Sequence, residues 1–173
     1  MRSLAIGQGE LGVTPLQMAN YGAILANRGY YFKPHIIKEI ENDTISQSFK
    51  IKHEVQIDKK YFEPVIEGMS QTVHNTNLVY TSKIPKIEMC GKTGTVENNH
   101  GSDHSVFVAF APRENPEIAI FVYVENGVWG SRYAAPMASL MVERYLTDSI
   151  STRRKYIEKR MIDANLLNPI QPK

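Results

Sequence analysis

The chain has one cysteine, Cys90, so it can form no internal disulfide, and a lone thiol gives no indication of redox compartment. It has no long hydrophobic run. The longest clean apolar stretch is Ile118 to Val124, far short of the roughly 20 residues that a membrane-crossing helix needs. The opening residues, Met1 to Gly7, lack the extended apolar core of a secretory signal, so any export signal or anchor is expected outside this chain. Charge of one sign is also lacking. A net charge of +2 argues for neither nucleic acid nor an anionic membrane as partner. There is no internal repeat and no low-complexity segment. What remains is 173 residues with 42% hydrophobic content, enough for one domain with a moderate core.

The pattern along the chain is that of an α+β protein. Gly7-Gln8-Gly9-Glu10-Leu11-Gly12 is a glycine-rich loop without the Lys-Ser/Thr pair of a phosphate loop. Thr14-Pro15-Leu16-Gln17 is a helix start, with Thr14 as N-cap, Pro15 in the first turn and Gln17 closing a capping box. That helix is expected to run to about Asn27 and stop at Gly29, with Leu16, Ala19, Ala23 and Ile24 on its buried face. Tyr30 to Ile40 reads as a strand pair or an extended arm broken at Pro34, and Ile45 to Ile57 alternates like a β-hairpin. A helix should begin at Asp58 and end near Val73, with a polar loop, His74 to Thr81, after it.

The second half is clearer. Ile87 to Val96 reads as a strand, Ser105 to Ala111 as a second, and Ile118 to Glu125 as a third, so apolar that both its faces should be covered. Asn126-Gly127 is a turn. A helix follows from about Ser131 to Leu146, its stripe being Tyr133, Met137, Leu140, Met141 and Tyr145. Residues 149–173 form a basic tail, partly helical, in which Arg153, Arg154, Lys155, Lys159 and Arg160 read as a solvated face and Ile157, Met161 and Ala164 as a short apolar stripe.

The first of these three strands carries Lys92-Thr93-Gly94-Thr95. A Lys-Thr-Gly on a strand edge supplies a fixed positive charge and hydroxyl donors for a substrate carboxylate. A glycine there keeps side-chain bulk out of the cleft. Alone the tripeptide carries little weight, but its neighbours match a known pattern. Ser3 to Glu10 with Thr14-Pro15-Leu16-Gln17-Met18-Ala19, Gly68-Met69, Gly91 to Thr95, Phe107 to Pro112, Ile118 to Glu125 and Gly130 to Leu146 occur in family order. The chain resembles the C-terminal part of the transpeptidase domain of class B penicillin-binding proteins, of the elongation type typified by penicillin-binding protein 2.

That resemblance implies an α+β fold, an antiparallel sheet with helices on both faces, incomplete in this chain. Residues 1–148 would be the C-terminal portion of the transpeptidase domain and 149–173 an added tail. It implies serine-type D,D-transpeptidation of peptidoglycan stem peptides ending in D-Ala-D-Ala, with β-lactams acylating the same serine. Lys92, Thr93, Gly94 and Thr95 would bind substrate, and the Thr95 backbone N–H would be one oxyanion donor. No metal, cofactor or nucleic acid is implied. The setting would be the periplasmic face of the bacterial inner membrane, with cell-wall elongation proteins as partners.

One departure matters. The family's nucleophile is the serine of Ser-x-x-Lys, assisted by Ser-x-Asn. No serine in this chain has Lys three residues on or Asn two residues on. Ser102-Asp103-His104 follows the Lys-Thr-Gly and ends in His, so it is not the second motif. The chain is therefore expected to be inactive alone and to pair with an absent N-terminal part of the same protein, exposing a large apolar patch without it. The other readings are a non-catalytic β-lactam sensor or scaffold module and the inactive product of a split gene. His100, Asp103 and His104 read as a polar loop rather than a metal site, Cys90 as packed, and Trp129 as a packed lid on the hairpin end in preference to a partner contact.

Overall fold

The computed structural model describes residues 4, 7–9, 11–41, 44–77 and 79–167. Ser3, Ala5, Ile6 and Glu10 of the family-like loop, and the last six residues of the tail, lie outside the described residues.

A three-stranded antiparallel sheet sits between two helical layers. Its strands are β3 (Cys90–Val96), β4 (His104–Ala111) and β5 (Ile118–Val124), in that order, after a small antiparallel pair of β1 (Tyr30–Phe32) and β2 (Lys52–Glu54). Alternation along β4 divides the core. Val108 and Phe110 meet helices α1 (Pro15–Ala26) and α2 (Phe62–His74), packing with Leu25, Phe62, Ile66, Met69 and Cys90. Phe107, Ala109 and Ala111 face the other way, onto Ala134, Ala135, Ala138 and Val142 of helix α3 (Ala134–Thr147).

Several sequence expectations change. The capping box at Thr14 and Gln17 forms, with the reciprocal bonds at 3.2 and 2.8 Å. Yet α1 buries Gly22, Leu25 and Ala26, and Leu16 is exposed. The helix is apolar on most sides, so hydrophobicity does not select its face. Gly22 does, because a Cβ there would sit 3.1 Å from Val108 Cγ2. The expected hairpin at 45–57 does not fold on itself. Its strand β2 pairs with β1, in the register Tyr30↔Glu54 and Phe32↔Lys52, and Gln47–Phe49 is a 3-10 turn.

Strand β5 is covered on both faces, with Ile118, Ile120, Val122 and Val124 packed toward α3 and Ala119 and Phe121 toward α1 and α2, but less fully than β4: only Ile120 is buried and Tyr123 is exposed. On α3 the sheet-facing stripe is made of small residues, while Met141 and Tyr145 are exposed. Small side chains let a helix lie close to a sheet; the large ones that dominate a hydrophobicity pattern point elsewhere. Tyr133, Met137 and Leu140 instead pack on Ile157 and Met161 of helix α4 (Lys155–Ile162).

The tail is fastened by a buried ion pair. Arg154, read from sequence as part of a solvated face, is buried and holds Glu143 at 2.6 Å, both side chains being 5% exposed. Arg154 also donates to the Ser139 carbonyl and, at 3.3 Å, to the Thr81 carbonyl, while Glu143 accepts the Ser151 N–H at 3.2 Å. One guanidinium thus joins the tail, α3 and the segment before β3.

Candidate functional site

Among the described residues strand β3 is an edge strand, paired only with β4, in the register Lys92↔Val108, Gly94↔Val106 and Thr95↔Ser105. Gln8, held between Gly7 (φ 78°) and Gly9 (φ 74°), touches the free edge. Its amide donates to the Thr95 carbonyl at 3.5 Å and accepts the Glu97 N–H at 3.4 Å. The N–H and C=O of one strand residue point to the same side. Thr93 and Thr95 therefore turn their backbone groups to the open edge, and Lys92 and Gly94 turn theirs to β4.

Side chains follow the other alternation. Thr93 and Thr95 share the α3 face of the strand, so their hydroxyls are neighbours. Lys92 starts from the opposite face, but its ammonium folds round the edge and donates to the Thr93 carbonyl at 2.6 Å. All four motif residues line one open cavity of about 600 Å³, whose other wall is Trp129, Gly130 and Ser131. A cation, two hydroxyls and an outward Thr95 N–H on one edge form a donor-rich surface. It can hold a carboxylate, and it can place a further N–H beside a carbonyl oxygen that gains charge.

The opposing wall depends on close backbone contact. A Cβ on Gly130 would lie 2.4 Å from the Val106 carbonyl oxygen, 2.8 Å from that of Gly94 and 3.1 Å from Gly94 N. Gly130 thus rests directly on the motif strand. A Cβ on Gly94 would strike Val106 Cγ2 at 2.6 Å, so packing within the sheet also requires a glycine here. Buried Ser105 anchors the wall: its hydroxyl donates to the Trp129 carbonyl at 2.8 Å and accepts the Ala134 N–H at 3.1 Å. The second bond satisfies an N–H at the start of α3 that has no partner inside the helix.

Trp129 is 63% exposed, which overturns its reading as a packed lid. The chain reaches it through Val128, a β-branched residue at φ 64° whose N–H is tied to the Asp103 carbonyl at 2.8 Å. Such strain concentrates at working sites. Asp103 and His104 fasten loops: Asp103 accepts the Asn98 N–H at 3.2 Å and His104 Nδ1 accepts the Asn126 N–H at 3.1 Å. Among the described residues no three His, Cys, Asp or Glu side chains are grouped to hold a metal. Cys90 is buried in the core, and burial pushes its thiol up to about 12.

A second opening adjoins the motif. Between α1 and α2 an apolar groove of about 520 Å³, lined by Met18, Tyr21, Val65, Met69, Val108 and Phe121, ends on Lys92, Thr93 and Gly94. Sequence reasoning missed Gln8, Ser105, Val128 and Gly130. The only hint was the Gly127-x-Trp129-Gly130 cluster, in which two glycines flank an aromatic residue.

The family model described as the penicillin binding protein transpeptidase domain matches residues 1–143. The chain is 30% identical to the peptidoglycan D,D-transpeptidase MrdA of Haemophilus influenzae, over 89% of this chain and 27% of that protein. It is 29% identical to the peptidoglycan D,D-transpeptidase PbpA of Mycobacterium tuberculosis, over 82% of this chain and 31% of that one. Among solved structures, Pseudomonas aeruginosa PBP2 in complex with WCK 5153 superposes with a TM-score of 0.71 at 31% identity, over 87% of this chain and 34% of the other. The imipenem acyl-enzyme of M. tuberculosis penicillin-binding protein A gives 0.70 at 27% identity, over 84% and 33%. The chain thus spans about a third or less of the length of these relatives. The antiparallel sheet with helices on both faces, the motif strand on its edge and the match over 1–143 agree: the chain belongs to the penicillin-binding protein transpeptidase domain family.

Proposed function

We propose that this chain forms the Lys-Thr-Gly wall of a peptidoglycan D,D-transpeptidase cleft. The observation that carries the reading is the open edge of β3, where Lys92, Thr93, Gly94 and Thr95 face one cavity with their donors turned outward. Lys92 with the Thr93 and Thr95 hydroxyls holds the C-terminal carboxylate of a peptide ending in D-Ala-D-Ala. The Thr95 N–H is one of two donors to the oxyanion that forms when a serine attacks the penultimate carbonyl. Expulsion of the terminal D-Ala leaves an acyl-enzyme, which an amine of a second stem peptide resolves. A β-lactam presents a carboxylate and a strained carbonyl to the same groups.

No serine in the sequence has the Ser-x-x-Lys spacing, so the nucleophile comes from another part of the protein. The apolar groove between α1 and α2 is the seat for that part, because it ends on the motif residues and leaves Tyr21 and Val65 half exposed. No helix among the described residues is long and apolar enough to cross a membrane, so anchoring at the periplasmic face of the inner membrane also falls to that part. Elongation-complex partners follow from the same reading.

The test begins with the in-frame coding sequence upstream of residue 1. An open frame carrying Ser-x-x-Lys and Ser-x-Asn supports the reading; a stop codon directly upstream rejects it in favour of a non-catalytic module. In the protein that carries the serine, Lys92→Ala should slow acylation by a fluorescent penicillin about 10- to 100-fold, the loss of one charge-assisted contact to the carboxylate. An unchanged rate would remove Lys92 from the site.

A further inference from the structure

The tail adds a further cavity, a basic one, to the surface. It measures about 560 Å³ and is lined by Arg132, Tyr133, Arg160, Asp163 and Ala164. That volume lies within the range of ordinary ligand sites. Arg28, Arg113 and Arg154 each hold a carboxylate, at 2.7, 2.8 and 2.6 Å. Arg132 and Arg160 hold none among the described residues, although they come from different elements and converge on one space. The one carboxylate lining the cavity, Asp163, is taken by Lys159 at 2.7 Å.

The two guanidiniums are also positioned. Arg160 donates to the Arg132 carbonyl at 3.4 Å, and the Arg132 guanidinium lies 5.5 Å from the centre of the Tyr133 ring. Arg160 stands on α4, which is fixed by buried Ile157 and Met161 and by the Arg154–Glu143 clamp. Both guanidiniums line the one cavity, so an anion bound there would meet charge-assisted donors from each. Two forked donors favour a planar carboxylate.

Location supplies the rest. Ser131 lines the motif cavity and Arg132, the next residue, lines the basic one, so one peptide unit links a wall of each, about 3.8 Å from Cα to Cα. We propose that Arg132 and Arg160 form a subsite for a second carboxylate of the peptide substrate, carried upstream of the C-terminal carboxylate that Lys92 takes. This rests on the transpeptidase reading of Lys92 and extends it to a preference for acidic peptides. Arg132 lies inside the segment that the family model matches and Arg160, on α4, lies beyond it.

The test is a chemical-shift titration of the ¹⁵N-labelled full chain with two probes at low ionic strength. One is acetyl-Lys-D-Ala-D-Ala, with a single carboxylate; the other is acetyl-Glu-Lys-D-Ala-D-Ala, with two. The second carboxylate should tighten binding about fivefold, an advantage that fades at high salt. Arg160→Gln, an exposed change that leaves the fold intact, should abolish the advantage without altering the Kd of the one-carboxylate probe. Arg132→Gln should act in the same direction. Equal affinity of the wild type for both probes, or an advantage that survives in both variants, would overturn the subsite. Lys92→Ala reports separately on the underlying reading: it should weaken both probes equally and keep the fivefold ratio. If it changes neither Kd while Arg160→Gln still removes the ratio, the Lys92 assignment fails and the basic subsite stands.

Discussion

Gly130→Ala should damage the motif strand without touching any motif residue. The new methyl carbon would stand 2.4 Å from the Val106 carbonyl oxygen and 2.8 Å from that of Gly94. A close carbon–oxygen contact between strands is about 3.4 Å, so strand and loop must part by roughly 1 Å. The obstructing atoms are backbone, so no rotamer change can absorb the strain. The loop cannot easily retreat, because Ser105 holds it at the Trp129 carbonyl and at Ala134 N–H. The strand is the softer partner, since among the described residues no strand pairs with its outer edge, which Gln8 touches.

Overpacking of this kind costs about 1–3 kcal/mol. For a chain of this size that lowers Tm by about 2–12 °C. A displacement near 1 Å at reacting groups can cost about a hundredfold in rate. Thermal unfolding gives the first quantity, the ¹⁵N shifts of Lys92 to Thr95 show where the strain goes, and acylation in the serine-bearing protein gives the third. Gly68→Ala is the control. No atom lies within 4 Å of its added Cβ, and it sits inside α2, so it should stabilise by about 0.5–1 kcal/mol. Unchanged motif shifts and an unchanged Tm in Gly130→Ala would refute the claim that this loop backs the strand.

Three further outcomes are expected. Arg154→Met leaves the Glu143 carboxylate buried without its partner and should cost about 3–5 kcal/mol, whereas Arg154→Met with Glu143→Met should recover most of that, read by urea denaturation of the set; a single variant costing under about 1 kcal/mol would show that the tail is not held by this pair. The Ser70 hydroxyl, donating at 2.6 Å, and then Arg113 lower the Glu88 pKa from its ordinary 4.5, so Glu88 supports the fold above that value and the support is lost as pH falls through the lower folded one. Ser70→Ala should raise that pKa and bring acid unfolding to higher pH, followed by the side-chain carboxyl shift of Glu88. Cys90, buried and with its thiol pushed up to about 12, should react with a thiol reagent at neutral pH only on unfolding; prompt labelling of the native chain would contradict the packing of α2 on β3.

What could be read in the sequence was local chemistry with its own geometry. The capping box at Thr14, the turn at Asn126-Gly127 and the three strands after residue 87 each depend on neighbours a few residues away, so residue type alone locates them. Which side of a helix meets the sheet depends on distant partners. Gly22 of α1 and Ala134, Ala135 and Ala138 of α3 win that contest because small side chains allow close approach to Val108 and Phe107, a criterion opposite to the large apolar residues that periodicity weights. The site divides in the same way. Lys92, Thr93, Gly94 and Thr95 were visible as a motif because one strand displays all four. Ser105, Gln8 and Gly130 act across 24, 87 and 36 positions of chain, on Trp129, Thr95 and Gly94, through a hydroxyl, an amide and a missing side chain. No short-range pattern can encode such pairs. The arginines follow the same rule. Arg154 and Arg160 share one basic run, yet a carboxylate eleven residues before Arg154 draws it into the core, and Arg160, with no such partner among the described residues, remains on the surface to face Arg132. Similar charges in one segment thus acquire opposite roles, one holding the tail in place and the other giving it something to bind.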